Sequence, residues 1–186
     1  MNGIPKRMEC EKTQAVMIDM QERLLPAMER QTEVREKTEM LLRGLQILEI
    51  PVTVTQQYTR GLGPTAETLR EAAGTNEYVE KLSFSCFPEP AFREALEAHS
   101  ERPSVILFGV ETHVCVMQTA LDLLADGWDV FLVCDCVDSR RGSDREIALR
   151  RMEAAGVVLT TAESALFELL GRAGSDTFKR ISKLVK

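Results

Sequence analysis

Long apolar runs are missing from this 186-residue sequence. The longest, such as Val105–Val110, fall far short of the roughly 20 residues that cross a bilayer. Met1 to Lys12 mixes charge with Pro5 and has no apolar stretch, so a secretory signal is not expected there. An excess of basic residues is missing too. The net charge of −6 argues against a general nucleic-acid or anionic-membrane binder, and Arg140-Arg141 is the only candidate basic pair. Metal-binding spacings are absent: there are two histidines, His99 and His113, and neither Cys-x-x-Cys nor His-x-x-x-His occurs. A metal site is therefore not expected. The Gly-x-Ser-x-Gly elbow and both glycine-rich nucleotide fingerprints are also missing, so no cofactor is implied. The five cysteines are odd in number and scattered among apolar residues, which suits a reducing, cytoplasmic setting rather than a disulfide framework. Repeats and Gly/Ser/Pro linkers are lacking, and one domain is expected.

What is present has the balance of a globular protein, 44% hydrophobic and 28% charged. Short β-branched runs read as buried strands at Thr13–Ile18, Val52–Gln56, Val105–Val110, Val130–Cys134 and Val157–Thr160, with a weaker one at Tyr78–Leu82. Helical periodicity covers Thr32–Leu48, Val114–Ala125, Asp144–Ala155, Ala162–Leu170 and Asp176–Val185, and His99 is assigned to a surface helix. Gly156 reads as a helix stop and Ser175 as an N-cap. Alternating strands and helices predict a three-layer α/β fold with a doubly wound, Rossmann-like parallel sheet. Its site is expected beyond the carboxyl ends of the strands, where Asp19, the loop after Val110 and Asp135 lie.

The segment Val105 to Val116 runs from an apolar strand through Gly109 into an apolar helix. Thr112 is a natural N-cap, which puts Cys115 in the first turn, where free N–H groups and the helix dipole lower a thiol pKa. The same position equally suits a small apolar packing residue. Asp19, after Val16-Met17-Ile18, could orient or deprotonate a nucleophile or simply cap the following turn. Lys81, in Val79-Glu80-Lys81-Leu82-Ser83-Phe84-Ser85-Cys86-Phe87, reads by itself as a solvated lysine at a strand end. Cys134-x-Cys136 has poor geometry for a disulfide if extended.

Taken together, Ile18-Asp19-Met20-Gln21, Glu80-Lys81-x-x-Phe84-Ser85 and Gly109-Val110-Glu111-Thr112-x-x-Cys115-Val116 resemble the isochorismatase-like hydrolases. The stretch Gln56-Gln57-Tyr58-Thr59-Arg60-Gly61-Leu62-Gly63-Pro64-Thr65 is similar to the branch of isochorismatase-domain-containing proteins. The resemblance runs from about Thr13 to Leu170. It implies an Asp-Lys-Cys triad of Asp19, Lys81 and Cys115 that hydrolyses amide or ureido groups through an acyl-thioester. It also implies a cis Val110–Glu111 peptide, an oxyanion hole from the Glu111 and Cys115 N–H groups, and self-association into a homo-oligomer. Gln21, Gln57, Tyr58 and Phe84 are expected to contact a small-molecule substrate. Where nicotinamidases of this family carry metal ligands, this chain has Gln56, Gln57 and Tyr58, and the presence of Cys115 argues against isochorismate as substrate. Two other readings stay open: a non-catalytic binding protein on the same fold, and a redox-active thiol with Cys86 as resolving partner.

Overall fold

A computed structural model describes residues 6–186; of the Met1–Lys12 segment, residues 1–5 lie outside the described part. Six parallel strands form one sheet: β1 (Thr13–Ile18), β2 (Val52–Gln57), β3 (Val79–Lys81), β4 (Ser104–Val110), β5 (Asp129–Asp138) and β6 (Val158–Thr160). Their order is β3-β2-β1-β4-β5-β6. Every residue of β1 and β4 is buried, as expected for central strands covered on both faces.

The helices are α1 (Gln31–Ile47), α2 (Thr59–Leu62), α3 (Glu67–Ala73), α4 (Pro90–Glu97), α5 (Met117–Ala125), α6 (Gly142–Ala155), α7 (Ala162–Leu170) and α8 (Asp176–Leu184). Helix α1 buries Val34, Thr38, Leu41, Leu42 and Leu45, a stripe at three-to-four-residue spacing. It packs against α3, α7 and α8 on one face of the sheet, while α5 packs against α6 on the other. Gly44 permits the close approach of α7, because a Cβ there would lie 2.4 Å from Leu166 Cδ2. The Ser175 hydroxyl accepts the Phe178 N–H at the start of α8, and Gly156 ends α6 in the left-handed region.

Two elements differ from the sequence reading. Strand β5 continues four residues beyond Cys134, because its register on β4 jumps between Leu107↔Leu132 and Gly109↔Val137. The intervening Val133–Cys136 stretch bulges, and the Asp135 carboxylate accepts the Ala162 N–H at the head of α7. Thr112 is not an N-cap. It lies inside a π-helical turn, Thr112–Val116, in which the Glu111 carbonyl accepts the N–H groups of Val114 (3.1 Å) and Val116 (3.2 Å) but not that of Cys115. The Thr112 hydroxyl is buried without a hydrogen-bond partner.

Strand order reverses between β1 and β4, which opens the crevice in which doubly wound sheets bind ligands. No helix among the described residues is long and apolar enough to cross a membrane.

Candidate active site

Asp19 follows directly on β1. Its backbone is left-handed (φ 52°), a conformation that Asp tolerates better than most residues. Its N–H donates to the Thr55 carbonyl of β2, so the side chain is aimed from the strand end into the crevice. The carboxylate is fully buried, and Lys81 Nζ lies 2.7 Å from Asp19 Oδ2 with both side chains closed to solvent. The reading of Lys81 as a solvated residue is overturned by its 2% exposure. A charge buried this deeply must be paired and hydrogen-bonded.

Lys81 meets that demand fully. Its ammonium donates to Gln57 Oε1 (2.7 Å), the Phe84 carbonyl (3.1 Å) and the Ser83 carbonyl (3.2 Å). Burial opposes the lysine's charge, but Asp19 and the thiols of Cys86 and Cys115 outweigh it and lift the Lys81 pKa above its ordinary value. On the other side of the pair, the Thr55 hydroxyl donates to Asp19 Oδ1 at 2.7 Å.

Cys115 completes the group. Its side chain is buried, and the charges of Asp19 and Lys81 act on it directly. The lowered pKa expected from its place at a helix start does not hold. Burial comes first and the adjacent Asp19 charge second, and together they push the thiol up to about 12 against the pull of Lys81. The resting sulfur is therefore a neutral thiol near a carboxylate. Cys86, also raised to about 12 by burial and then by the Asp19 charge, has its Sγ 3.9 Å from Thr55 Oγ1.

The surrounding loops are tied to this centre. Thr119 Oγ1 donates to the Cys115 carbonyl (2.7 Å) and accepts the Cys86 N–H (2.9 Å), so one hydroxyl joins the loop after β3 to the turn that carries Cys115. The Ser85 hydroxyl donates to Asp122 of α5 at 2.6 Å. The Val110–Glu111 peptide bond is cis. The Glu111 carboxylate is gripped by the Arg140 backbone N–H (3.1 Å) and by its Nε (3.0 Å).

The four residues expected to touch substrate fall into two groups. Gln21 is wholly buried: its amide donates to the carbonyls of Gln57 (3.0 Å) and Gly63 (2.7 Å) and accepts the Gln57 N–H (2.8 Å). It braces the loop after β2. Gln57 likewise uses both ends of its amide, accepting from Lys81 and donating to the Leu82 carbonyl. Tyr58 and Phe84 are half exposed on the loops that follow β2 and β3. Gln56 bonds Thr59 and Thr65, and His113 Nδ1 lies 3.0 Å from the Ser139 hydroxyl. Among the described residues no cluster of three or more His, Cys, Asp or Glu side chains could hold a metal ion. The polar contacts that the sequence reading did not single out are Thr55 and Thr119. Thr55 could have been noticed two residues before Gln57, on the same face of one strand.

The isochorismatase domain family matches residues 13–164, a span that contains Asp19, Lys81 and Cys115. The chain belongs to that family. An isochorismatase domain-containing protein 1 from Salmo salar is 43% identical over 171 residues, covering 90% of this chain and 59% of the relative. The chain thus spans less than two thirds of that relative's length. Among solved structures, the MAR1 ribonuclease from Caenorhabditis elegans is 36% identical, with a TM-score of 0.90 over 97% of this chain and 92% of the other. YcaC from Pseudomonas aeruginosa, solved with hexane-2,5-diol and covalent acrylamide, is 25% identical, with a TM-score of 0.91 over 98% and 93%. Both superpose on nearly the whole of this chain, including the central sheet whose crevice holds the Asp19–Lys81 pair here.

Proposed function

We propose that this isochorismatase-family chain is a cysteine-dependent hydrolase of a small amide or carbamoyl-type C–N bond, acting through an acyl-thioester. The observation that carries the reading is the sealed Asp19–Lys81 ion pair with the buried Cys115 thiol under the influence of both charges. Ionisable groups packed so closely at a strand-end crevice point to chemistry more than to stability, since a buried ion pair often adds little net stability.

In the proposed mechanism Asp19 takes the thiol proton as Cys115 Sγ attacks the substrate carbonyl carbon. The carbonyl π electrons move to oxygen, and the oxyanion is met by the N–H groups of Glu111 and Cys115. Each such donor typically contributes about 10²–10³ in rate. The Cys115 N–H does not donate to the Glu111 carbonyl, which takes the N–H groups of Val114 and Val116 instead. The C–N bond then breaks, and the leaving nitrogen takes the proton from Asp19. Water, deprotonated by the freed carboxylate, attacks the thioester, and the acid and the Cys115 thiol are regenerated. Lys81 keeps its charge throughout and steadies Asp19. Tyr58 and Phe84, exposed at the mouth, contact the substrate, while Gln21 and Gln57 act from behind.

The covalent acrylamide on YcaC supports the reading, because acrylamide is an electrophile that adds to thiols. Self-association and a cytoplasmic location remain part of this proposal. The test is an ammonia-release screen over primary amides and carbamoyl compounds, with Cys115→Ala as the blank. Turnover that survives in Cys115→Ala would overturn the proposal.

A further inference from the structure

Strand β2 lies between the two strands that carry the charged pair: β1 leads to Asp19 and β3 ends at Lys81. Thr55 and Gln57 are two residues apart on β2 and so share one face. Thr55 pairs in register with Ile18, next to Asp19, and Gln57 pairs with Lys81 itself. Each side chain reaches the charged group on its own side.

Counting hydrogens shows what this accomplishes. A threonine hydroxyl has one hydrogen, and Thr55 gives it to Asp19 Oδ1. An ammonium has three, and Lys81 gives them to Gln57 Oε1 and to the carbonyls of Ser83 and Phe84. Asp19 Oδ2, though 2.7 Å from Nζ, receives no well-directed hydrogen bond from any described residue. It feels the lysine's charge while its lone pairs stay open. Gln57 cannot turn its amide to serve otherwise, because Nε2 is held by the Leu82 carbonyl and a flip would set NH₂ against the ammonium.

We propose that Thr55 and Gln57 are positioning residues that divide the hydrogen bonds of the buried pair, saturating Asp19 Oδ1 and drawing the Lys81 hydrogens aside so that Oδ2 is reserved for the Cys115 thiol. This rests on the hydrolase reading and deepens it. The two residues act in opposite senses. Removing the Thr55 hydroxyl takes a donor from Asp19 and makes it a stronger base. Removing the Gln57 acceptor frees a Lys81 hydrogen to turn onto Oδ2 and makes Asp19 a weaker, blocked base. The titratable groups facing Asp19 are Lys81 from β3, Cys86 from the loop after it and Cys115 after β4, so the pH response belongs to that set.

The experiment is the pH dependence of Cys115 alkylation, measured by brief iodoacetamide exposure and mass mapping on the full chain, with a thermal melt for each variant. Thr55→Val should move the acidic limb of the rate profile up by about one pH unit, the equivalent of one hydrogen bond to a charged group. Thr55→Ser should restore it. Gln57→Leu should move the limb down and slow Cys115 labelling at neutral pH about tenfold. Thr55→Ala carries the same expectation as Thr55→Val should the latter not fold, and Gln57→Met likewise stands in for Gln57→Leu. Shifts in the same direction, or no shift in folded variants, would overturn the inference. Asp19→Asn separates the two levels. If it labels like the wild type, the hydrolase reading itself fails; if it slows labelling while the Thr55 and Gln57 variants do not shift, only the positioning roles fail.

Discussion

Gly109 and Ile18 touch backbone to backbone: a β-carbon on Gly109 would sit 2.1 Å from the Ile18 carbonyl oxygen. The contact joins β4 to β1 at the reversal of strand order, one residue before Asp19. Gly109 also has φ +129°, which L side chains rarely adopt. Gly109→Ala should therefore cost about 4 kcal/mol or more by urea unfolding, at the top of the single-substitution range. Gly156→Ala is the control. It too has positive φ but nothing within 4 Å, so it should lose only about 1–3 kcal/mol through backbone strain.

Lys81→Met should be strongly destabilising, by about 3–5 kcal/mol, because it leaves the buried Asp19 charge alone. Adding Asp19→Asn removes that charge, and the double variant should recover much of the loss in urea melts. Additive losses would mean that the two groups are not coupled in the folded state.

The raised Cys115 pKa makes a kinetic prediction. A free thiol with the reference pKa of 9.0 would give kcat/KM that climbs steeply between pH 7 and 9. With the thiol pushed up to about 12, its protonation hardly changes over that interval. The profile should be flat there, with the proton removed by Asp19 during attack rather than by solvent beforehand. A tenfold rise per pH unit between 7 and 9 would contradict this order of events.

Buried thiols also set an alkaline limit on stability. The unfolded Cys86 thiol ionises near 9.0, whereas in the folded protein burial holds its proton up to about 12. The unfolded state therefore binds fewer protons over that interval, and stability present below pH 9 falls as pH rises toward 12. Each such thiol contributes at most about 1.4 kcal/mol per pH unit. Cys136, raised by complete burial, acts in the same sense. The Cys86→Ala variant should show a shallower fall of Tm with pH between 9 and 10.5, whatever its Tm at neutral pH.

Much of the sheet was legible because its signal is local. Thr13–Ile18 is the strand as read, and β2, β3, β4 and β6 differ from their readings by a residue or so at their ends. Helix α3 was not assigned, since its seven residues bury only Leu69 and Ala72 and show too little periodicity. Helix α4 stops at Glu97, two residues before His99. The three charged or reactive side chains were found through separated motifs, but their electrostatics were not. Lys81 read as solvated and Cys115 as acidic because exposure and the placing of Asp19 come from tertiary packing. Gln21 and Gln57 read as substrate contacts because a glutamine beside a site motif looks the same whether it faces the ligand or the loop behind it.

The pairing of β1 with β4 aligns Thr13 with Ser104, about ninety residues along the chain, and the Asp19–Lys81 pair spans a further long separation. Loop closure on this scale precedes any reward from the contacts it makes, which marks a topology that assembles slowly. No local fragment or early hairpin can hold Asp19, Lys81 and Cys115 together. On the proposed mechanism, recovery of activity during refolding reports completion of the central sheet, and a chain with its helices formed but β1 and β4 apart is expected to be silent in the ammonia-release assay.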